Sequence, residues 1–179
     1  MEKIKPKDLR LNFSSTLFFD TNIWLYLFST IASAQKERQQ QYANLFEEAL
    51  NKKCSIYISS MVVSEFANVI LRREFNTWKR ENGKHAAGYK KDFVGTPVYK
   101  EKTEMVKSKL NKILSLPNII KAPDSFNNLN QESILSNFGL ADFNDAYINE
   151  LVSTNNWILV TDDGDFQQIF QGKQLVSMS

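Results

Sequence analysis

The sequence predicts an α/β fold with a mainly parallel sheet covered by helices on both faces. Short apolar runs such as Leu17–Phe19 and Trp157–Val160, bounded by polar and turn-forming residues, are too brief for helices and read as buried strands. Longer segments with apolar residues at helical spacing lie between them. Strands therefore alternate with helices, as a parallel sheet requires. No internal repeat, low-complexity tract or dividing linker interrupts the 179 residues, so residues 1–179 are expected to form one domain with a sizeable core.

The elements follow in order. Leu17–Phe19 is the first strand, and Thr21 or Asn22 can cap a helix from Ile23 to about Thr30. A second helix spans residues 34–51, with Tyr42, Leu45, Phe46, Ala49 and Leu50 on one face. Ser55–Ser59 alternates polar and apolar residues as a strand, and Ser60 caps the helix MVVSEFANVILRREF. The stretch NTWKRENGKHAAGYKKDFVGTP carries glycines, a proline and scattered charge and is expected to be mostly loop. A charged helix from Val98 to about Leu116 follows, then a short strand at Asn118–Lys121. Gln131–Phe138 and Asp142–Ser153 read as helices, Trp157–Thr161 as a strand, Asp165–Phe170 as a helical turn and Gln174–Met178 as a final edge strand.

Composition narrows the function classes. Hydrophobic residues at 42% and charged residues at 23% describe a soluble globular chain. The single cysteine, Cys54, excludes an intramolecular disulfide and a multi-cysteine zinc site, and the single histidine, His85, excludes a histidine-based metal site. With no signal peptide or membrane-length apolar run, a cytoplasmic protein that avoids membranes is expected. The net charge of +2 conceals an uneven distribution, with a basic middle between Phe66 and Ile119 and an acidic end after it. Such a run reads either as a solvated helix face or as a polyanion-binding surface beside a carboxylate cluster.

The acids carry the chemistry. In an open parallel sheet, ligands bind beyond the carboxyl ends of the strands. Asp20 ends the first strand and the run TDDGD, Thr161–Asp165, ends the strand WILVT, so two strands deliver carboxylates to one edge. On the helical wheel, Glu65 falls roughly 40° and Asp145 roughly 20° outside their apolar stripes, at the border of the core. Asp142 falls roughly 80° outside and is better placed to cap its helix. Taken singly, Asp20 could be a helix cap, Glu65 a partner of Arg72, and Asp162, Asp163 and Asp165 turn residues. Taken together, hard oxygen ligands converging on one edge suit Mg²⁺ or Mn²⁺.

From Leu17 to about Phe170 these motifs resemble the PIN (PilT N-terminal) domain nucleases. LFFDTN matches the strand that ends in Asp, SEFANVI the Glu early in a helix, NDAYINELV the third acid, and ILVTDDGDF the strand ending in Thr-x-Asp-x-Asp-Phe. The resemblance selects Asp145 over Asp142 and Asp163 over Asp162, with Asp165 in support. It implies a three-layer α/β/α sandwich, with residues of about 76–116 as an inserted or extended loop-plus-helix segment. It further implies an endoribonuclease in which Asp20, Glu65, Asp145 and Asp163 hold one or two Mg²⁺ or Mn²⁺ ions. A metal-activated water would then leave a 5′-phosphate and a 3′-hydroxyl. Thr21, Asn22 and Thr161 would orient carboxylates or water. Arg72, Arg73, Lys79, Arg80, Lys84, Lys90 and Lys91 would contact phosphates, with Trp78 and Tyr89 as candidate stacking or packing residues.

Two versions of this reading follow from the resemblance. One is the toxin of a toxin–antitoxin pair, which forms a homodimer and is blocked by an antitoxin protein. The other is a stand-alone RNA-processing enzyme. A non-catalytic RNA-binding or scaffold domain of the same fold would have lost an acid, and none of the four is missing. A haloacid-dehalogenase-like phosphatase needs a second acid two residues after the first, where this chain has Asn22.

Overall fold

The computed structural model describes residues 2–29, 36–123 and 125–179. Its centre is a six-stranded sheet in the order β1-β6-β5-β2-β3-β4, every neighbouring pair parallel. The strands are β1 (Glu2–Ile4), β2 (Thr16–Phe19), β3 (Ser55–Ile58), β4 (Ile119–Lys121), β5 (Ile158–Val160) and β6 (Gln174–Val176). The helices are α1 (Thr21–Phe28), α2 (Lys36–Asn51), α3 (Ser60–Glu81), α4 (Pro97–Leu114), α5 (Gln131–Asn137), α6 (Phe143–Thr154) and α7 (Phe166–Ile169). The chain moves outward from β2 through β3 to β4, then crosses back to β5 on the other side of β2. The crevice between β2 and β5 is thus the topological switch point, where α/β sheets bind ligands.

Burial explains why β2 and β5 are continuous apolar runs. Leu17, Phe18 and Phe19 are fully enclosed, as are Leu159 and Val160, because parallel strands with helices on both faces have no solvent side. Trp157 stacks on Tyr57 with ring centroids 4.0 Å apart, and Phe19, Trp24, Phe28 and Phe46 form an aromatic cluster beneath α1 and α2.

Several expectations are corrected. The strand at the C-terminus is not an edge: β6 lies between β5 and β1, with Ile4 opposite Val176. β1 escapes prediction because its three residues place one apolar side chain after two charged ones. The cap of α1 is Asp20 itself, which accepts from the Thr21 N–H at 2.6 Å, and the cap of α3 is Ser59 rather than Ser60. The expected ends of the first helix at Thr30 and of the second at residues 34–35 lie outside the described residues.

The middle is far less loop-like than its composition suggests. α3 continues through NTWKRE to Glu81, a turn of π-helix covers Tyr89–Phe93, and α4 begins at Pro97 with Thr96 capping it. A separate small core of Phe75, Trp78 and Phe93 explains the extension, since it gives the end of α3 something to bury. Gly83, at φ +62°, supplies the left-handed residue that lets the chain turn off α3. No helix among the described residues is long and apolar enough to cross a membrane.

Candidate active site

Register builds the site. Phe19 pairs with Val160 across β2 and β5, so the next residues, Asp20 and Thr161, meet at the carboxyl edge. The Thr161 hydroxyl donates to Asp20 Oδ2 at 2.8 Å and accepts from the Asp163 N–H at 3.0 Å and from Asn22 Nδ2 at 3.1 Å. One buried hydroxyl thereby sets both an acid of β2 and the loop that carries an acid after β5. Asn22 Nδ2 also donates to Asp20 Oδ2 at 2.7 Å, while its Oδ1 accepts from the Asp162 N–H at 3.1 Å.

The helices deliver the other two acids. Glu65, in the second turn of α3, accepts from the Thr21 hydroxyl at 2.9 Å. Asp145 stands in the first turn of α6, where Asp142 caps the helix by accepting from the Asp145 N–H at 2.9 Å. This is the division of labour the helical wheel predicts. Asp165 is exposed and donates its N–H to Asp163 Oδ1 at 2.9 Å, shaping the turn.

Electrostatics ties the four acids together. Burial pushes the Asp20 carboxyl up to about 7; hydrogen bonds from Thr161 and the Thr21 N–H oppose this, and the charges of Glu65 and Asp163 add to it. Burial likewise pushes Asp145 up to about 8, with Asp142, Asp20, Asp163 and Glu65 all adding repulsion. Among the described residues, no lysine, arginine or histidine forms an ion pair with Asp20, Glu65, Asp145 or Asp163. The edge gathers acids whose charged forms are disfavoured by burial and by one another, a condition that a bound cation would relieve.

The donor set has the right chemistry for Mg²⁺ or Mn²⁺, being entirely hard carboxylate oxygen. As placed, however, no group of three or more Asp, Glu, His or Cys side chains among the described residues is drawn close enough to grip one ion. An ion would have to draw the side chains inward, cancelling the repulsion between them as it does so.

Asp162 has a different role, which its sequence context did not reveal. Its carboxylate is almost completely enclosed and pairs with Arg38 Nη1 at 2.7 Å. It also accepts from the Tyr26 and Tyr42 hydroxyls, each at 2.9 Å, and from the Ser179 hydroxyl at 3.2 Å. This buried network fastens α1, α2 and the C-terminal residues to the loop that carries Asp163. Arg38, Tyr26 and Tyr42 lie too far away in sequence for any local signal to have linked them to Asp162.

The predicted basic residues do not border the acids closely. Arg72 and Arg73 lie about 10 Å along α3 from Glu65, and Lys79 and Arg80 about 21 Å. Arg72 Cζ sits 4.6 Å over the Tyr89 ring, Lys84 Nζ 4.8 Å over Trp78 and Lys79 Nζ 5.3 Å over Phe75. Trp78 is buried, so it packs rather than offering a free face, and Lys90 and Lys91 are exposed on the π-helical turn. Among the described residues, none of the seven predicted cations forms an ion pair.

An all-parallel sheet with acids gathered at its switch point defines a class, the α/β domains with an acidic site beyond the strand ends. Within that class the chain belongs to the PIN domain family, whose model matches residues 17–170; members of this family are typically nucleases and generally use divalent metals. The fold is similar to one chain of the crystal structure of VapBC2 from Rickettsia felis bound to a DNA fragment from their promoter. That match has a TM-score of 0.54 and 18% identity, and covers 92% of this chain and 99% of that one. PAE2754 from Pyrobaculum aerophilum matches with a TM-score of 0.46 and 14% identity, over 92% of this chain and 85% of that one. No curated protein sequence matches the chain significantly.

Proposed function

We propose that the chain is a metal-dependent endoribonuclease that hydrolyses RNA phosphodiester bonds. One observation carries this reading: Asp20, Glu65, Asp145 and Asp163 share one sheet edge and act on one another electrostatically, with no ion-paired cation among the described residues. Asp20, Glu65, Asp145 and Asp163 would hold Mg²⁺ or Mn²⁺, with Asp165 alongside. When bound, the ion supplies Lewis acidity at the scissile phosphate and lowers the pKa of an attacking water.

The chain's own residues do the positioning. Thr161 and Asn22 fix Asp20 through Oδ2, and the Thr21 hydroxyl fixes Glu65. The Thr161 hydroxyl also anchors the Asp163 backbone. Arg72, Arg73, Lys79, Arg80, Lys84, Lys90 and Lys91 bind the RNA backbone at a distance from the cut, holding the strand without reading its sequence.

The likeness to a VapBC2 chain favours the toxin version, in which an antitoxin protein covers the acidic edge of a cytoplasmic homodimer. The test is cleavage of RNA in Mg²⁺ or Mn²⁺ by the purified protein. The proposal expects D163N to be inactive while retaining its circular dichroism spectrum. Equal cleavage by wild type and D163N refutes it.

A further inference from the structure

Beside Glu65 lies an open depression of about 410 Å³, lined by Ser60, Met61, Ser64, Glu65, Asn68 and Asn144. Its chemistry differs from that of both the acidic edge and the basic residues of α3 and the π-helical turn. Ser60, Ser64 and Asn68 recur every fourth residue along α3, so their side chains form one row, and Asn144 faces them from α6. Apart from Glu65 the lining is uncharged. With no lysine or arginine, and with a carboxylate at its rim, the depression is a poor seat for a phosphate.

It is a good seat for a nucleobase. A carboxamide presents a donor and an acceptor side by side, the pattern that reads a base edge bidentately. Among the described residues, the Asn144 side chain has no hydrogen-bond partner. Asn68 has only a 3.5 Å contact to Ser64 Oγ, at the limit of such a bond. With Asn144 unbonded among the described residues and Asn68 held only by that marginal contact, both amides are available to a ligand. Met61 adds a polarizable apolar wall against which a base can lie.

Resting on the nuclease reading above, we infer that this depression is a base-recognition subsite for a nucleotide flanking the cut. Asn68 and Asn144 read the base edge there, and Met61 packs on its face. The substrate class that fits is single-stranded or looped RNA, because only an unstacked base can leave the strand and enter.

Two arms test the subsite. In the first, the D163N protein is titrated by fluorescence anisotropy with four single-stranded RNA heptamers that differ only in the central nucleotide. The expected result is at least a fivefold spread in affinity among the four, reduced to less than twofold by adding Asn68→Ala or Asn144→Ala. Asn68→Asp, which replaces the amide donor with an acceptor, should change the rank order of the bases. In the second arm, cleavage sites on a randomised RNA library are sequenced for wild type and for each Asn→Ala variant, and the base preference beside the cut should flatten. An unchanged preference in these variants overturns the subsite, as does equal affinity of D163N for the four heptamers. If no RNA is cut yet the heptamers are still discriminated through Asn68 and Asn144, the nuclease reading fails and the subsite stands.

Discussion

Asp145→Asn should make the ion-free protein more stable at alkaline pH, even though it removes a residue of the proposed active site. Asp145 titrates at about 8 in the fold, against an ordinary 3.8, chiefly because burial disfavours its charge and four neighbouring acids repel it. Because the folded-state value is raised, the contribution of this carboxyl to stability is full below about 4 and is lost as the pH rises through about 8. For a fully enclosed group, a rise of this size corresponds to about 6 kcal/mol. Asp145 is only half-buried, and solvent screening reduces the effect to about 1–2 kcal/mol. Asparagine keeps the shape and removes the charge, and the Asp145 side chain has no hydrogen bond to lose among the described residues. Thermal unfolding in EDTA should therefore show D145N within about 1 °C of wild type at pH 5 and about 3–6 °C above it at pH 9. Adding Mg²⁺ should stabilise the wild type by about 1.4 kcal/mol at ten times Kd and leave D145N largely unmoved. If D145N is destabilised equally at both pH values, the acids do not repel one another and the electrostatic description of the site is wrong.

Other perturbations probe the supporting structure. Thr161→Val keeps the side-chain shape but removes the hydroxyl shared by Asp20, Asn22 and Asp163; it should cost about 1–3 kcal/mol in urea unfolding and slow RNA cleavage at least tenfold. Asp162→Ala leaves Arg38, Tyr26 and Tyr42 without their shared acceptor, and should lower stability by about 2–4 kcal/mol by the same measurement. Replacing Lys84, Lys90 and Lys91 together by alanine should weaken RNA binding and make the slope of log affinity against log salt shallower by about 2. Base preference at the cut should stay the same in that triple variant, because the proposed role of these lysines is to hold the backbone alone.

Much of this was legible in the sequence, for physical reasons. A strand buried on both faces must be a continuous apolar run, so β2 and β5 stand out, and the acids that end them mark the candidate edge. Helical periodicity separates Asp145 from Asp142, and the capping bond from Asp142 to the Asp145 N–H accords with that separation. What stayed hidden was either short or non-local. β1 offers only three residues, and its strand character comes from pairing with β6 across nearly the whole chain. The extension of α3 to Glu81 depends on Phe75 and Trp78 meeting Phe93, a contact that local composition, rich in polar and turn-forming residues, disguises. The network around Asp162 draws on residues from α1, α2 and the C-terminal end, which no spacing rule connects. The position of the basic residues along α3 likewise depends on the helix running on past Phe75.

Whether Asp20, Glu65, Asp145 and Asp163 form one ion-dependent catalytic site is decided by a Mn²⁺ titration. RNA cleavage and the loss of the free Mn²⁺ electron paramagnetic resonance signal are followed together in wild type and D163N. In wild type both should saturate over the same Mn²⁺ range, EDTA should abolish cleavage, and D163N should bind the ion at least tenfold more weakly and not cut. Undiminished cleavage in EDTA, or a wild type that binds no Mn²⁺ at millimolar concentration, would contradict such a site.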